Sequence, residues 1–180
     1  MFSQDVIILP GMLGAGCTHV AELLSQKLEW RYVNSERIIR RIVSESGLSF
    51  REFQVEVHSG EIDLDKIIRN VLLDEIREGK VIVEGRIAFL ILDLDVGVKF
   101  FLWSSKSDRA RIVSKRRNIP LEKALEQIEE SDEDRKSLVW RLYKKDWLDL
   151  DLYDMIINTS KWSYEGAAEI IIKAHSYRKR

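Results

Sequence analysis

A single cysteine, Cys17, stands in the 180 residues, so no disulfide forms within the chain, and a reducing compartment fits. Proline is nearly absent, at positions 10 and 120 alone. There is no internal repeat, low-complexity segment or linker. No apolar run approaches the roughly 18 residues of a membrane span. The opening Met1-Phe2-Ser3-Gln4-Asp5 lacks the basic and apolar regions of a secretion signal. Charge of either sign is not in excess: 29 Lys and Arg face 30 Asp and Glu, a net −1. That excludes a global bias toward nucleic acid or an anionic membrane. The basic cluster at 176–180 is short and terminal and reads as a solvated tail. A soluble, cytoplasmic protein binding neither nucleic acid nor membrane is expected, with its oligomeric state open. What is present, 45% hydrophobic and 33% charged residues, suits one compact α/β domain over 1–180.

The absence that matters most is a lysine. Val6-Ile7-Ile8-Leu9 is a short buried-strand run, and Pro10-Gly11-Met12-Leu13-Gly14-Ala15-Gly16-Cys17-Thr18 follows at once. Residues 17–28 then place Val20, Leu23, Leu24 and Leu28 on one helical face. Strand, glycine-rich turn and amphipathic helix are the parts of a phosphate-binding loop, whose backbone N–H groups converge on phosphate oxygens at a helix N-terminus. Against the template G-x-x-x-x-G-K-[ST], Gly11, Gly16 and Thr18 fit, but Cys17 holds the lysine position. The lysine reaches the outer phosphates as a point charge, which a neutral thiol does not supply. Either another cation replaces it, or phosphate chemistry is weak or absent; a glycine-rich turn without a ligand is the plain alternative. The candidate nucleotide-binding set is Gly11, Gly14, Ala15, Gly16, Cys17 and Thr18. A cysteine at a helix N-terminus can also carry a lowered thiol pKa. A nucleophilic role would further need a general base, and His19 is the neighbour in sequence.

Residues 30–33 predict a second strand, and Asn34 or Ser35 caps a helix through Ile38, Ile39, Ile42 and Val43 that Gly47 closes. A less regular stretch runs from Ser49 to His58, broken by Gly60. Asp63 or Asp65 opens a helix ending at Gly79. Val81-Ile82-Val83 is a strong buried strand, with Glu84-Gly85-Arg86 at its carboxyl end, where ligands of open α/β sheets bind. A short helix over 87–92, a strand over 98–103 and an arginine-rich helix over 104–118 follow. Pro120 opens the next helix, and Ser131 caps another carrying Arg135, Trp140 and Tyr143. Met155-Ile156-Ile157 is the last strand, and a helix covers 164–174. Strands alternating with helices predict a parallel sheet covered on both faces. The charged, helical 104–145 region reads as an excursion able to close over a ligand. Of the tryptophans, Trp140 and Trp147 are best placed to stack on a base, the rest packing in core or lid.

Several segments, taken in order and spacing, carry a resemblance: Val83-Glu84-Gly85-Arg86, Arg109-x-Arg111-x-x-x-x-Arg116, Asp132-x-x-Arg135, Lys145-Asp146-Trp147, and Tyr153-Asp154 running into Ile157-Asn158-Thr159-Ser160. Across most of the chain they resemble the cytidylate kinase family of nucleoside monophosphate kinases, and look closest to its divergent, cytidylate kinase-like branch, in which a small residue often replaces the loop lysine. The resemblance implies a three-layer α/β/α P-loop NTPase fold, with a five-stranded parallel sheet ordered 2-3-1-4-5 and a helical lid at about 104–145. It implies transfer of the ATP γ-phosphoryl group to CMP or dCMP with Mg2+. By the same resemblance Ser35 and Arg40 grip the acceptor nucleotide, Asp63 lies near it, and Arg86 binds its phosphate. Arg109, Arg111 and Arg116 belong to the lid, and Asp132 and Arg135 form a pair near the nucleotides. Ile87 stands where bacterial members often have aspartate, and Leu138-Val139 where the divergent branch has a Tyr-Tyr pair; both bear on acceptor choice.

Phosphoryl transfer asks a protein for alignment, a metal and positive charge on the equatorial oxygens. Arg109, Arg111, Arg116 and Arg135 are the candidate catalytic cations, one of them standing in for the lysine, with Asp132 beside them. The alternative for each arginine is a solvated helix face. Thr18 and Glu84 are the candidate metal residues; a helix-start hydrogen bond and an arginine salt bridge are their alternatives. Ser35 and Asp63 could equally be helix caps, and Arg40 an exposed helical residue. Two further readings stay open: a catalytically weak or inactive nucleotide-binding protein acting as sensor or partner-binding module, because of Cys17, and a kinase for a different small acceptor.

Overall fold

The computed structural model describes residues 4–60 and 62–178. Met1 to Ser3 of the opening and Lys179 and Arg180 of the basic tail lie outside the described residues, so the 1–180 span is covered there only in part. The central layer is a sheet of β1 (Val6–Leu9), β2 (Arg31–Val33), β3 (Val81–Glu84), β4 (Val98–Trp103) and β5 (Met155–Asn158), in the order β2-β3-β1-β4-β5. Every pairing is parallel: Ile7 lies opposite Ile82 and Val98, Tyr32 opposite Ile82, and Leu102 opposite Ile157. The expected order 2-3-1-4-5 is observed. β1 and β3 are buried along their whole length, which is why they read as unbroken apolar runs rather than alternating ones.

Helices α1 (Cys17–Leu28), α2 (Ser35–Ser46), α3 (Phe50–Ser59), α4 (Leu64–Glu78), α5 (Lys106–Arg117), α6 (Leu121–Tyr143) and α7 (Tyr164–Ser176) cover the sheet, α1 packing on α7 and α4 on α2. Asn34, not Ser35, caps α2: its side chain accepts from the Arg37 N–H at 2.9 Å. Asp63, not Asp65, caps α4, accepting from the Lys66 N–H at 3.1 Å. The irregular stretch expected after Ser49 is instead the helix α3. Ser49 and Glu52 form a reciprocal capping box that satisfies two otherwise orphaned N–H groups. The separate helix expected to begin at Ser131 does not exist. α6 runs unbroken for 23 residues, with no glycine or proline inside it, and Ser131 sits mid-helix, accepting from Arg135 one turn on. A 3-10 helix spans Arg86–Ile91.

Phe89, Phe101, Trp147 and Tyr153 form an aromatic cluster in the main core, with the Phe101 and Trp147 rings 5.8 Å apart. Trp147 therefore packs inside rather than facing a base. A separate small core joins α5 to α6 through Ala110, Val113, Ala124 and Ile128, and Leu13 from the glycine-rich loop packs against it. The helical excursion thus touches the rest of the molecule at that loop. Among the described residues no helix is long and apolar enough to cross a membrane.

Candidate active site

The glycine-rich loop leaves the carboxyl end of β1, held to β4 by Met12 N–H donating to the Leu102 carbonyl at 3.1 Å. Gly11 approaches so closely that a Cβ there would lie 2.8 Å from the Leu102 oxygen and 2.5 Å from the Cys17 sulfur. Gly16 starts α1 with φ +84°, and the Tyr164 ring fills the space a Cβ would need. Gly14 lies against the Arg109 backbone, and buried Ala15 accepts from the Thr159 hydroxyl at 2.9 Å. A cavity of about 260 Å³ opens over this loop, lined by residues that include Gly11, Gly14, Gly16, Cys17, Thr18, Glu84, Arg116, Arg135 and Tyr164.

Cys17 is the first residue of α1, but its thiol is not activated. Burial, reinforced by the Glu84 charge and opposed by Arg135, pushes its pKa up to about 12. The lowered thiol pKa expected at a helix N-terminus is overturned by desolvation. Thr18 donates its hydroxyl hydrogen to Glu84 Oε1 at 3.1 Å, and the Tyr32 hydroxyl donates to Oε2 at 2.8 Å. Burial raises the Glu84 pKa above the ordinary carboxylate value, with those two hydrogen bonds and Arg135 pulling the other way. No salt bridge joins Glu84 to an arginine among the described residues; hydroxyls satisfy it instead.

The four candidate cations stand in four different situations. Arg109 is 4% exposed and gives both terminal nitrogens to Asp132, at 2.8 and 2.7 Å, while its buried Nε finds no partner. Arg111 is exposed and lies 3.7 Å from Asp108. Neither lines the cavity. Arg116 lines it from α5, exposed, with no hydrogen bond or ion pair among the described residues. Arg135 lines it from α6, largely buried, with Nε donating to the Gly11 carbonyl at 3.1 Å and Nη1 to the Ser131 carbonyl at 3.0 Å.

Arg86 opens the 3-10 helix beyond β3 and is held between two carboxylates, Asp134 at 2.8 Å and Asp65 at 3.4 Å; Arg141 also bonds Asp65. Ser35 sits at the start of α2. Arg40, 79% exposed, pairs with Glu36 at 2.6 Å. Arg40 lines a second hollow of about 280 Å³ with Tyr32, Asn34, Glu36 and Arg37, and Tyr32 joins that hollow to Glu84. Asp63 serves as the α4 cap described above. The tyrosines of the two hollows are Tyr164 and Tyr32. Tyr164 lies 5.2 Å from the His19 ring, whereas Trp140 is exposed on α6 away from the cavity. A signal for Tyr164 was present: it opens α7 just past the carboxyl end of β5, where open α/β sheets gather ligand residues.

The sequence matches the family described as cytidylate kinase-like over residues 6–161. The chain belongs to the cytidylate kinase-like family. It is 33% identical over 169 residues to the cytidylate kinase of Pyrococcus horikoshii, covering 92% of this chain and 85% of that one. It is 34% identical over 169 residues to the cytidylate kinase of Methanothrix thermoacetophila, covering 94% and 96%. Among solved structures, that of an uncharacterized protein from Eubacterium ventriosum superposes with a TM-score of 0.72 at 21% identity, covering 97% of this chain and 100% of that chain. Shikimate kinase from Acinetobacter baumannii, in complex with shikimate, gives 0.61 at 16% identity, covering 94% and 92%. These two likenesses concern the fold. Membership of the cytidylate kinase-like family makes the chain a phosphotransferase, with the glycine-rich loop at the expected place in its sheet.

Proposed function

We propose that this cytidylate kinase-like protein transfers the γ-phosphoryl group of ATP to CMP or dCMP with Mg2+. The observation that carries the reading is the convergence of the loop, the Thr18–Glu84 pair, Arg116 and Arg135 on one cavity in a chain of this family. The loop N–H groups and the α1 N-terminus would take the donor phosphates. Thr18 and Glu84 offer two hard oxygen donors 3.1 Å apart. Mg2+ suits a site with one or two protein oxygens because it takes its other ligands from phosphate and water. When bound there, Mg2+ would neutralise charge on the donor phosphates. Arg86 would hold the acceptor phosphate as a bidentate fork once Asp134 and Asp65 release it. Ser35, Arg40 and Asp63 would surround the acceptor nucleoside, through the hollow that Tyr32 joins to Glu84. Arg116 would meet the transferring group, with Arg109, Arg111 and Asp132 building the lid that carries it.

The test is diphosphate formation by the purified protein with ATP, Mg2+ and a panel of nucleoside monophosphates. CMP- or dCMP-dependent turnover is expected, with Arg86→Ala lowering kcat/KM for the acceptor by about 100-fold, the loss of two charge-assisted hydrogen bonds. Absence of turnover with every acceptor, alongside nucleotide binding by calorimetry, would replace this reading with that of a nucleotide-binding protein without kinase activity.

A further inference from the structure

The loop supplies no cation of its own, since position 17 is a cysteine whose sulfur lies against Gly11. We propose that Arg135 takes the place of the missing lysine, entering from α6 across the loop, and that a neutral residue at 17 is the condition for it.

Two of the four candidate arginines do not reach the cavity, and a third reaches it unanchored. Arg109 has committed both terminal nitrogens to Asp132 and does not reach the cavity. Arg111 is on the solvent side of α5 with Asp108. Arg116 lines the cavity, but no protein group fixes its position. A phosphate cation is effective when its place is set before the reaction, so that no reorganisation is needed. Arg135 meets that condition. Its Nε is tied to the carbonyl of Gly11, the first glycine of the loop, and its Nη1 to the Ser131 carbonyl one helical turn back. None of the hydrogen bonds among the described residues uses Nη2. The guanidinium therefore lies over the loop with one nitrogen uncommitted.

Arg135 and the Cys17 sulfur both sit at Gly11. An ammonium extended from position 17 would meet the guanidinium there, two like charges on one partly desolvated spot. In this chain an arginine reaching over the loop holds the place that a loop lysine would take. Cys17 is in this sense a specificity for Arg135 rather than a lost function.

The inference rests on the reading that the loop binds nucleotide phosphates, and the experiment separates the two. Wild type, Arg135→Met, Cys17→Lys and the double variant are compared, with Arg135→Lys as a charge-keeping variant and thermal melting as the check on folding. ATP and AMP affinities are measured by calorimetry without acceptor, and kcat and KM with CMP. Arg135→Met is expected to weaken ATP binding on the order of tenfold or more, the scale of one or two charge-assisted hydrogen bonds, with AMP binding unchanged. Cys17→Lys alone is expected to lower ATP affinity and turnover. The double variant is expected to exceed both single variants, because the lysine then has the place to itself. Arg135→Lys, which keeps the charge, is expected to lie between wild type and Arg135→Met. Unchanged ATP affinity in Arg135→Met, or a double variant no better than Arg135→Met, overturns the proposal. If Arg135→Met does not fold, Cys17→Lys and Arg135→Lys decide: full ATP affinity in Cys17→Lys overturns it. Wild type that binds ATP through Arg135 yet phosphorylates no acceptor would remove the kinase reading and leave this one. Wild type that phosphorylates CMP with Arg135→Met unaffected would do the reverse.

Discussion

Glu84 brings a carboxylate to a buried strand end and satisfies it with two hydroxyls rather than with a cation. Burial raises its pKa when folded above the ordinary value of 4.5. A carboxyl of that kind favours the fold while it is protonated. The advantage is complete below the unfolded value and is lost as pH rises through the folded one. Glu84→Gln, which stays neutral at every pH, is therefore expected to raise the melting temperature at pH 7–8, and the gain to vanish as pH falls to about 4.5. The same variant is expected to lose Mg2+-dependent turnover, since a site built for charge is stabilised by removing it. Melting curves across pH, set beside activity, check both halves. Thr18 and Glu84 stood out in the sequence through the loop template and the strand end. Tyr32 did not, because its partner lies 52 positions away and nothing local marks it.

The elements that the sequence revealed are those whose burial is periodic. β1 and β3 are buried on both faces and read as apolar runs, and α1 buries Val20, Ala21 and Leu24 on one side. α3 was hidden because it buries a single residue, Phe53, while Phe50 and Val55 are exposed; its mark was the pair Ser49 and Glu52. α6 misled in the other direction, since a serine among acidic residues looks like a cap, yet nothing there breaks the helix. At this scale the Arg109–Asp132 pair is the joint between α5 and α6. Asp132→Ala leaves a buried guanidinium unpaired, and is expected to destabilise the protein by about 3 kcal/mol in urea unfolding. Replacing both partners by apolar residues, Arg109→Met with Asp132→Leu, is expected to recover most of that loss. A role for Asp132 in catalysis rather than in this joint would show instead as lost kcat at unchanged stability.

Across the whole molecule, the helical excursion is attached where the chemistry is proposed to occur. Leu13 packs into its small core, Gly14 lies on the Arg109 backbone, Gly11 accepts from Arg135, and Asp134 holds Arg86. These contacts join residues as many as 124 positions apart, so the sequence offered four arginines without telling which of them reach the cavity. The family resemblance gave the sheet order; the proposal for Arg135 needed the packing of α6. The lone cysteine turns this arrangement into a clock. Burial pushes its pKa up to about 12 and so depletes the thiolate, the form that reacts, at neutral pH. Cys17 is 8% exposed, and an alkylating reagent is expected to reach it when the loop and Arg135 part. Intact-mass measurements are expected to find it modified slowly in the folded protein, at once in urea, and more slowly still with ATP bound. With one sulfhydryl in the chain, no labelling site has to be engineered and none removed. The rate at which the residue standing where the loop lost its charge is modified, with and without ATP, thus reads how closely the loop and Arg135 cover it.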